Sequence, residues 1–312
     1  MKLALVFPGQ GSQSVGMLNS FADSKPVRDT FAEAAEVLQQ DLWKLAADGP
    51  AEELNSTINT QPLMLTAAYA VYRAWREAGG EQPAIVAGHS LGEYTALVVA
   101  GVISLRDALP LVRFRAQAMQ EAVPVGTGAM AAILGLDDDV VRAACAEAAQ
   151  GEVVEAVNFN APNQVVIAGH KAAVERGAAA AKAKGAKRAV MLPVSAPFHA
   201  SLLKPAAQRL EQYLAGITFN VPQIPVINNV DVATVSDPQQ IKDALARQAC
   251  NPVRWVEVIQ QMVRSGVTDV GECGPGRVLA GMTKRIDGAL NGFAIADAAS
   301  LAQAVQSFQR AA

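Results

Sequence analysis

The amino-acid sequence predicts an α/β fold: a largely parallel sheet interrupted by a smaller inserted unit with a sheet of its own. Three observations carry this. Apolar runs of strand length, among them "LALVF", "AIVAG", "IPVINN" and "VTDVGE", alternate with longer stretches of helical period, as in parallel sheets joined by crossover helices. The segment from Gly128 to Val194 breaks that rhythm. It reads strand, helix, strand, strand, helix, strand, the βαββαβ order of a ferredoxin-like unit, and it follows "VPVGTG", a turn-rich break. The chain has 312 residues, 51% of them apolar, enough for a core in each unit. The expected division is a discontinuous large domain, residues 1–123 and 197–312, around a subdomain at residues 124–196.

The first strand, Lys2 to Phe7, runs straight into "PGQGSQ". A glycine-rich turn after a first strand invites a dinucleotide reading, but Ser14 stands where the third glycine of GxGxxG belongs, and no acidic residue closes a second strand. Near the other end, "GRVLAGMT" copies the P-loop spacing, with Met282 in place of the phosphate-binding lysine. Both loops read as tight strand-to-helix turns, the second as a turn only. Within the inserted unit the expected elements are strand Ala129–Leu134, helix Asp138–Gln150, strands Val153–Phe159 and Gln164–Ala168, helix Ala172–Lys184 closed by Gly185, and strand Arg188–Pro193.

Charge and cysteine usage exclude several classes. The formal net charge is −3, which argues against nucleic acid as the main partner. Cys145, Cys250 and Cys273 are odd in number, far apart and without a CxxC pair. We expect three buried thiols, a reducing compartment and no zinc site. The apolar start is too brief for a signal peptide, and the uncharged stretch Tyr94 to Leu105 is too short to span a bilayer. A cytoplasmic protein with no membrane segment is expected.

Chemistry concentrates in "PAIVAGHSLGEYTALVVAG". A strand, Ala84 to Ala87, enters Gly88-His89-Ser90-Leu91-Gly92 and leaves as an apolar helix, the context of a nucleophile elbow. Ser90 projects from a strained turn, and glycines two before and two after avoid collision with neighbouring backbone. Helix N–H groups then point where an oxyanion would form. A serine N-cap between two glycines is the alternative. The serine needs a base, and there are three histidines. His89 adjoins Ser90 on an extended segment and should point away from it, as a structural hydrogen-bonder. His170 reads as an exposed loop residue. His199, in "PVSAPFHASLL", lies where the chain returns to the large domain, and a domain junction commonly holds a cleft. His199 is therefore the base. No acidic residue suits the third triad position.

The helix Ser104 to Ala122 opens with a Ser104-x-x-Asp107 capping box, and Pro110 lies inside it. Helical spacing puts Arg113 beside Arg106, Gln117 and Gln120, a wet face. Arg115 falls among Ala108, Leu111, Val112, Ala118, Met119 and Ala122, a buried face. A buried guanidinium needs an anion. Two sources fit equally: a structural salt bridge to an Asp or Glu elsewhere, or a substrate carboxylate, which arginine grips bidentately.

Taken together, "FPGQGSQ", "GHSLGEY", Arg115 in "LVRFRAQAM", "PVSAPFHAS", "NPVRW" and "GPGRVLAGMTKR" resemble the malonyl-CoA:acyl carrier protein transacylases of type II fatty-acid synthesis, with acyltransferase domains of polyketide synthases as kin. The likeness runs over nearly the whole chain. It implies an α/β-hydrolase-like large domain with the active site facing the inserted subdomain. It implies ping-pong transfer from malonyl-CoA to the phosphopantetheine thiol of acyl carrier protein through a malonyl-serine ester, with no metal or redox cofactor. By the same resemblance Ser90 is the nucleophile and His199 its base. Arg115 holds the malonate carboxylate, and Gln10 with the Leu91 N–H lines the oxyanion hole. Gln248 marks the carbonyl that orients the histidine, and Phe198 sets acyl selectivity. The opening glycines then serve acyl transfer. Basic groups that could dock the carrier protein are Lys182, Lys184, Lys187 and Arg188, or Lys284 and Arg285. The rival functions are a free-standing malonyl acyltransferase serving a polyketide synthase and, in another class, a serine thioesterase or esterase.

Overall fold

Five consecutive apolar residues, Leu3–Phe7, are buried without exception. A strand buried on both faces belongs inside a parallel sheet covered by helices, and β1 (Leu3–Phe7) sits at its middle. The computed structural model describes residues 2–194 and 196–309. The remaining strands are β2 (Ile85–Gly88), β3 (Gly128–Leu134), β4 (Val154–Ala161), β5 (Gln164–His170), β6 (Arg188–Met191), β7 (Val226–Ile227), β8 (Asp269–Cys273) and β9 (Asn291–Ile295). The large sheet runs β7-β2-β1-β8-β9, parallel throughout. Ala4 pairs with Ile85 on one side and Val270 on the other. Successive β1 side chains alternate between the two faces. Leu3, Leu5 and Phe7 join one apolar cluster, while Ala4 and Val6 join a second with Trp255, Val258 and Met262 of the helix Trp255–Arg264.

The second sheet runs β4-β5-β3-β6 and is antiparallel throughout. Helices Asp138–Ala149 and Lys171–Ala183 cover it around a separate cluster that includes Ile133, Val141, Val165 and Val174. Its strands come from a continuous stretch of chain, whereas the parallel sheet takes strands from both sides of that stretch. β4 joins the large unit at the segment just before the helix Trp255–Arg264. The Phe159 N–H donates to the Val253 carbonyl at 3.0 Å, and the Val253 N–H donates back to Val157 at 2.8 Å.

Besides ends that shift by one or two residues, as where β5 runs on to His170, three elements differ from expectation. β9 was not anticipated from sequence, because "NGFAI" opens on Asn291 and Gly292 and shows no alternation; it forms by pairing residue for residue with β8. β7 is two residues long, a fragment of the "IPVINN" run. β6 ends at Met191, before Pro193, since proline lacks the N–H a ladder requires. Among the described residues no helix is long and apolar enough to cross a membrane. Of the three free thiols, Cys145 and Cys273 are buried but Cys250 is only half-buried.

Candidate active site

The turn after β2 is as tight as its glycines suggest. A Cβ on Gly88 would lie 1.8 Å from the Gly92 carbonyl carbon, and one on Gly92 would lie 2.1 Å from the Phe7 oxygen. Only glycine fits at either place. Between them Ser90 has φ +52°, a left-handed conformation that is costly for a residue with a side chain. The surroundings hold it there. Its N–H donates to Asn229 Oδ1 at 2.8 Å, and its carbonyl accepts from Gln248 Nε2 at 3.0 Å. The opening loop approaches the same turn: a Cβ on Gly9 would be 2.5 Å from the His89 oxygen. The glycine at position 9 thus lets the loop lie against the elbow.

Ser90 Oγ is 2.7 Å from His199 Nε2. His199 Nδ1 is 2.8 Å from the backbone oxygen of Gln248. A carbonyl can only accept, so Nδ1 carries the proton and Nε2 is free to take one from the serine. His199 is 3% exposed and also has positive φ, +66°. Burial, reinforced by the neighbouring Arg115 charge, pushes its imidazole down to about 3, so the ring is neutral in the resting site.

Arg115, 1% exposed, projects from the helix Leu105–Glu121 into this cluster. Its Nη1 donates to Gln61 Oε1 at 2.8 Å, and its Nη2 donates to Gln248 Oε1 at 2.9 Å and to Ser90 Oγ at 3.1 Å. The guanidinium lies 5.2 Å from the Tyr94 ring centroid, and Nε is buried with no acceptor among the described residues. Every acceptor it has is neutral. The structural salt bridge that sequence left open is absent among the described residues, so the cation sits beside the serine hydroxyl without a carboxylate of its own.

Gln10, Leu91, Phe198, Ser90, His199 and Arg115 line one cavity of about 120 Å³. The Leu91 N–H has no acceptor among the described residues, whereas that of Ser90 is taken. Gln10 Nε2 donates to Thr57 Oγ1 at 3.1 Å, which anchors the loop. Gln248 is fully buried behind the cavity. Four participants were not singled out from sequence: Gln61, Glu93, Asn160 and Asn229. Glu93 carried a signal, a lone charge in the apolar helix "GEYTALVV". Its buried carboxyl is pushed up to about 7, against the opposing hydrogen bonds of Asn229 and Gln248 and the Arg115 charge.

Of the remaining expectations, that for His89 holds, while those for His170 and Arg113 are corrected. His89 does point away, and its Nε2 lies 2.7 Å from Asn160 Oδ1 in β4. His170 is half-buried at the end of β5, and its Nδ1 accepts the Val153 N–H at 2.9 Å. Arg113 is half-buried rather than wet, donating to the Leu38 carbonyl and Gln40 Oε1. In the basic clusters, Lys182 caps the carbonyls of Ala186 and Lys187, Lys184 pairs with Glu147, and Arg285 binds Gln164 and Pro162. No group of three or more His, Cys, Asp or Glu among the described residues could hold a metal ion.

Comparison with known proteins accords with this geometry. The family model for the acyl transferase domain matches residues 4–284. The chain is 57% identical over 306 residues to the malonyl CoA-acyl carrier protein transacylase of Escherichia coli K12, covering 98% of this chain and 99% of that one. It matches the crystal structure of acyl-carrier-protein S-malonyltransferase from Burkholderia pseudomallei 1710b with TM-score 0.97 and 70% identity, over 98% of this chain and 100% of that one. A third match, TM-score 0.97 and 54% identity over 98% and 100% of the two chains, is a malonyl-transacylase in complex with its type II PKS acyl-carrier protein.

Proposed function

The chain belongs to the acyl transferase family, and from that premise we propose that it transfers the malonyl group of malonyl-CoA to the phosphopantetheine thiol of acyl carrier protein. The observation that carries this reading is the convergence of Ser90, His199 and a carboxylate-free Arg115 on one small cavity. Ser90 Oγ attacks the thioester carbonyl while His199 Nε2 takes its proton. The oxyanion that forms is met by the Leu91 N–H and by the opening loop at Gln10. It collapses with cleavage of the C–S bond, and His199 returns the proton to the departing CoA sulfur. A malonyl-serine ester remains. The carrier thiol then gives its proton to His199, attacks the ester, and Ser90 leaves with that proton.

Arg115 binds the distal malonyl carboxylate. This also assists the base: the incoming negative charge offsets the guanidinium that helps depress His199, so the imidazole becomes more basic when the correct acyl group is seated. The transfer is redox-neutral and, as written, calls on no metal or cofactor. The three free cysteines fit a cytoplasmic setting. The 54%-identical transacylase seen with a polyketide carrier favours one variant of the same chemistry, in which the acceptor belongs to a polyketide system.

The test is intact-protein mass spectrometry after incubation with malonyl-CoA. One malonyl adduct, absent in Ser90→Ala and discharged by holo acyl carrier protein faster than by water, is expected. An adduct on Ser90→Ala refutes the nucleophile; discharge by water alone identifies a thioesterase. Comparing fatty-acid and polyketide carriers as acceptors separates the two pathways.

A further inference from the structure

Glu93 is a carboxylate enclosed in protein with no cation in contact. It is 2% exposed and projects from the first turn of the helix Gly92–Val99. Its Oε2 accepts the Asn229 N–H at 3.0 Å and Gln248 Nε2 at 2.9 Å. The same Gln248 amide turns its Oε1 to Arg115 Nη2 at 2.9 Å. Glutamate and arginine are thus opposite charges separated by one amide. A carboxylate can only accept and a guanidinium can only donate, so the two together fix which end of that amide faces which ion. Reversing it would set two acceptors against each other and two donors against each other.

The amide does more than fill the gap. Its dipole is aligned between the ions, and in a water-poor interior such an arrangement transmits charge strongly. Arg115 has no other anion among the described residues. We propose that Glu93 is a built-in counter-charge to Arg115, and that it sets how strongly the guanidinium demands an external carboxylate. Glu93 thereby acts as a positioning residue that tunes discrimination between acyl thioesters with a distal carboxylate and neutral ones. This rests on the reading that Arg115 receives the malonyl carboxylate. The coupling is reciprocal: Arg115 is among the groups that hold the buried Glu93 carboxyl down, against the rise that burial imposes.

Removing the internal charge leaves the cation uncompensated until malonate arrives. In Glu93→Gln, compared with the parent at about pH 8 where the Glu93 carboxyl is mostly ionised, the ratio of kcat/KM for malonyl-CoA to that for acetyl-CoA is expected to rise on the order of tenfold, the size expected of one charge roughly 10–12 Å from the bound carboxylate at an effective dielectric of about 20. The rise should come from a lower KM for malonyl-CoA and weaker acetyl transfer. Glu93→Asp keeps the charge and should stay near the parent ratio. Glu93→Met, similar in length and uncharged, must show the same rise if the Gln variant fails to fold. An unchanged or lower ratio in the folded neutral variants, or equal shifts in Gln and Asp, overturns the proposal. Arg115→Ala is the separating control. If it collapses the ratio while Glu93→Gln does not move it, only the counter-charge role fails. If Arg115→Ala leaves the ratio intact, the reading of Arg115 fails first.

Discussion

At the scale of single residues, the site is legible where chemistry follows from near neighbours in the chain. Ser90 is announced by Gly88 and Gly92, and the structure gives the reason in distances: each glycine faces backbone that a Cβ would penetrate. Gly88→Ala would place a carbon 1.8 Å from the Gly92 carbonyl carbon. Backbone cannot yield as a side-chain tip can. We expect destabilisation above about 4 kcal/mol, read as loss of soluble protein or of a cooperative denaturant transition; a folded, active variant would refute the steric account. Arg115 was placed by helical spacing for the same local reason. Asn229, Gln61 and Asn160 were not, because nothing in their sequence neighbourhoods records that distant segments will bring them to Ser90, Arg115 and His89. Glu93 could have been flagged, as a charge surrounded by apolar residues.

At the scale of elements, the second glycine-rich loop resolves an ambiguity in the sequence. It has P-loop spacing but no phosphate-binding lysine, and the start of the helix Val278–Ile286 is already occupied. Glu272 of β8, 0% exposed, accepts the Ala280 N–H at 2.9 Å, and the Leu279 and Val278 N–H groups also favour its charged form. The protein supplies its own carboxyl oxygen as acceptor at this helix start. Burial still outweighs these donors and pushes the Glu272 carboxyl up to about 7, and its Oε1 has no partner among the described residues. A raised folded value means that the native state takes up the proton first. Its stabilising contribution is complete below the unfolded value of about 4.5 and is lost as pH rises through about 7. Comparing parent with Glu272→Gln by denaturant titration, the parent should gain stability relative to the variant as pH falls from about 8 to 4.5. The gain should reach roughly 3 kcal/mol at about 1.36 kcal/mol per pH unit. A difference independent of pH would show that Glu272 titrates at its ordinary value. The β9 strand shows the opposite limit of sequence reading, since its conformation comes from a partner strand and not from its own pattern.

At the scale of the whole molecule, the βαββαβ order and the alternating parallel pattern were both legible, because each is written in periodicity that spans whole elements. How the two units meet was not. That contact depends on β4 lying against Val253 and on the pairing of Asn160 with His89 across the junction. Asn160→Ala leaves the half-buried His89 without its side-chain partner and should cost about 1 kcal/mol, measured by thermal or denaturant unfolding; no change would mean the pair is incidental to the join. The arrangement as a whole gathers Ser90 from the turn after β2, Arg115 from a helix of the large unit and His199 from the returning segment. The central claim is that this gathering selects a carboxylate-bearing acyl group. The most direct measurement is the ratio of malonyl to acetyl transfer in folded Arg115→Ala. The account predicts that malonyl transfer falls by the roughly 2–5 kcal/mol typical of breaking a buried charge pair, while acetyl transfer holds or gains, so that the ratio collapses. A ratio equal to the parent's, with both donors depressed alike, would contradict it.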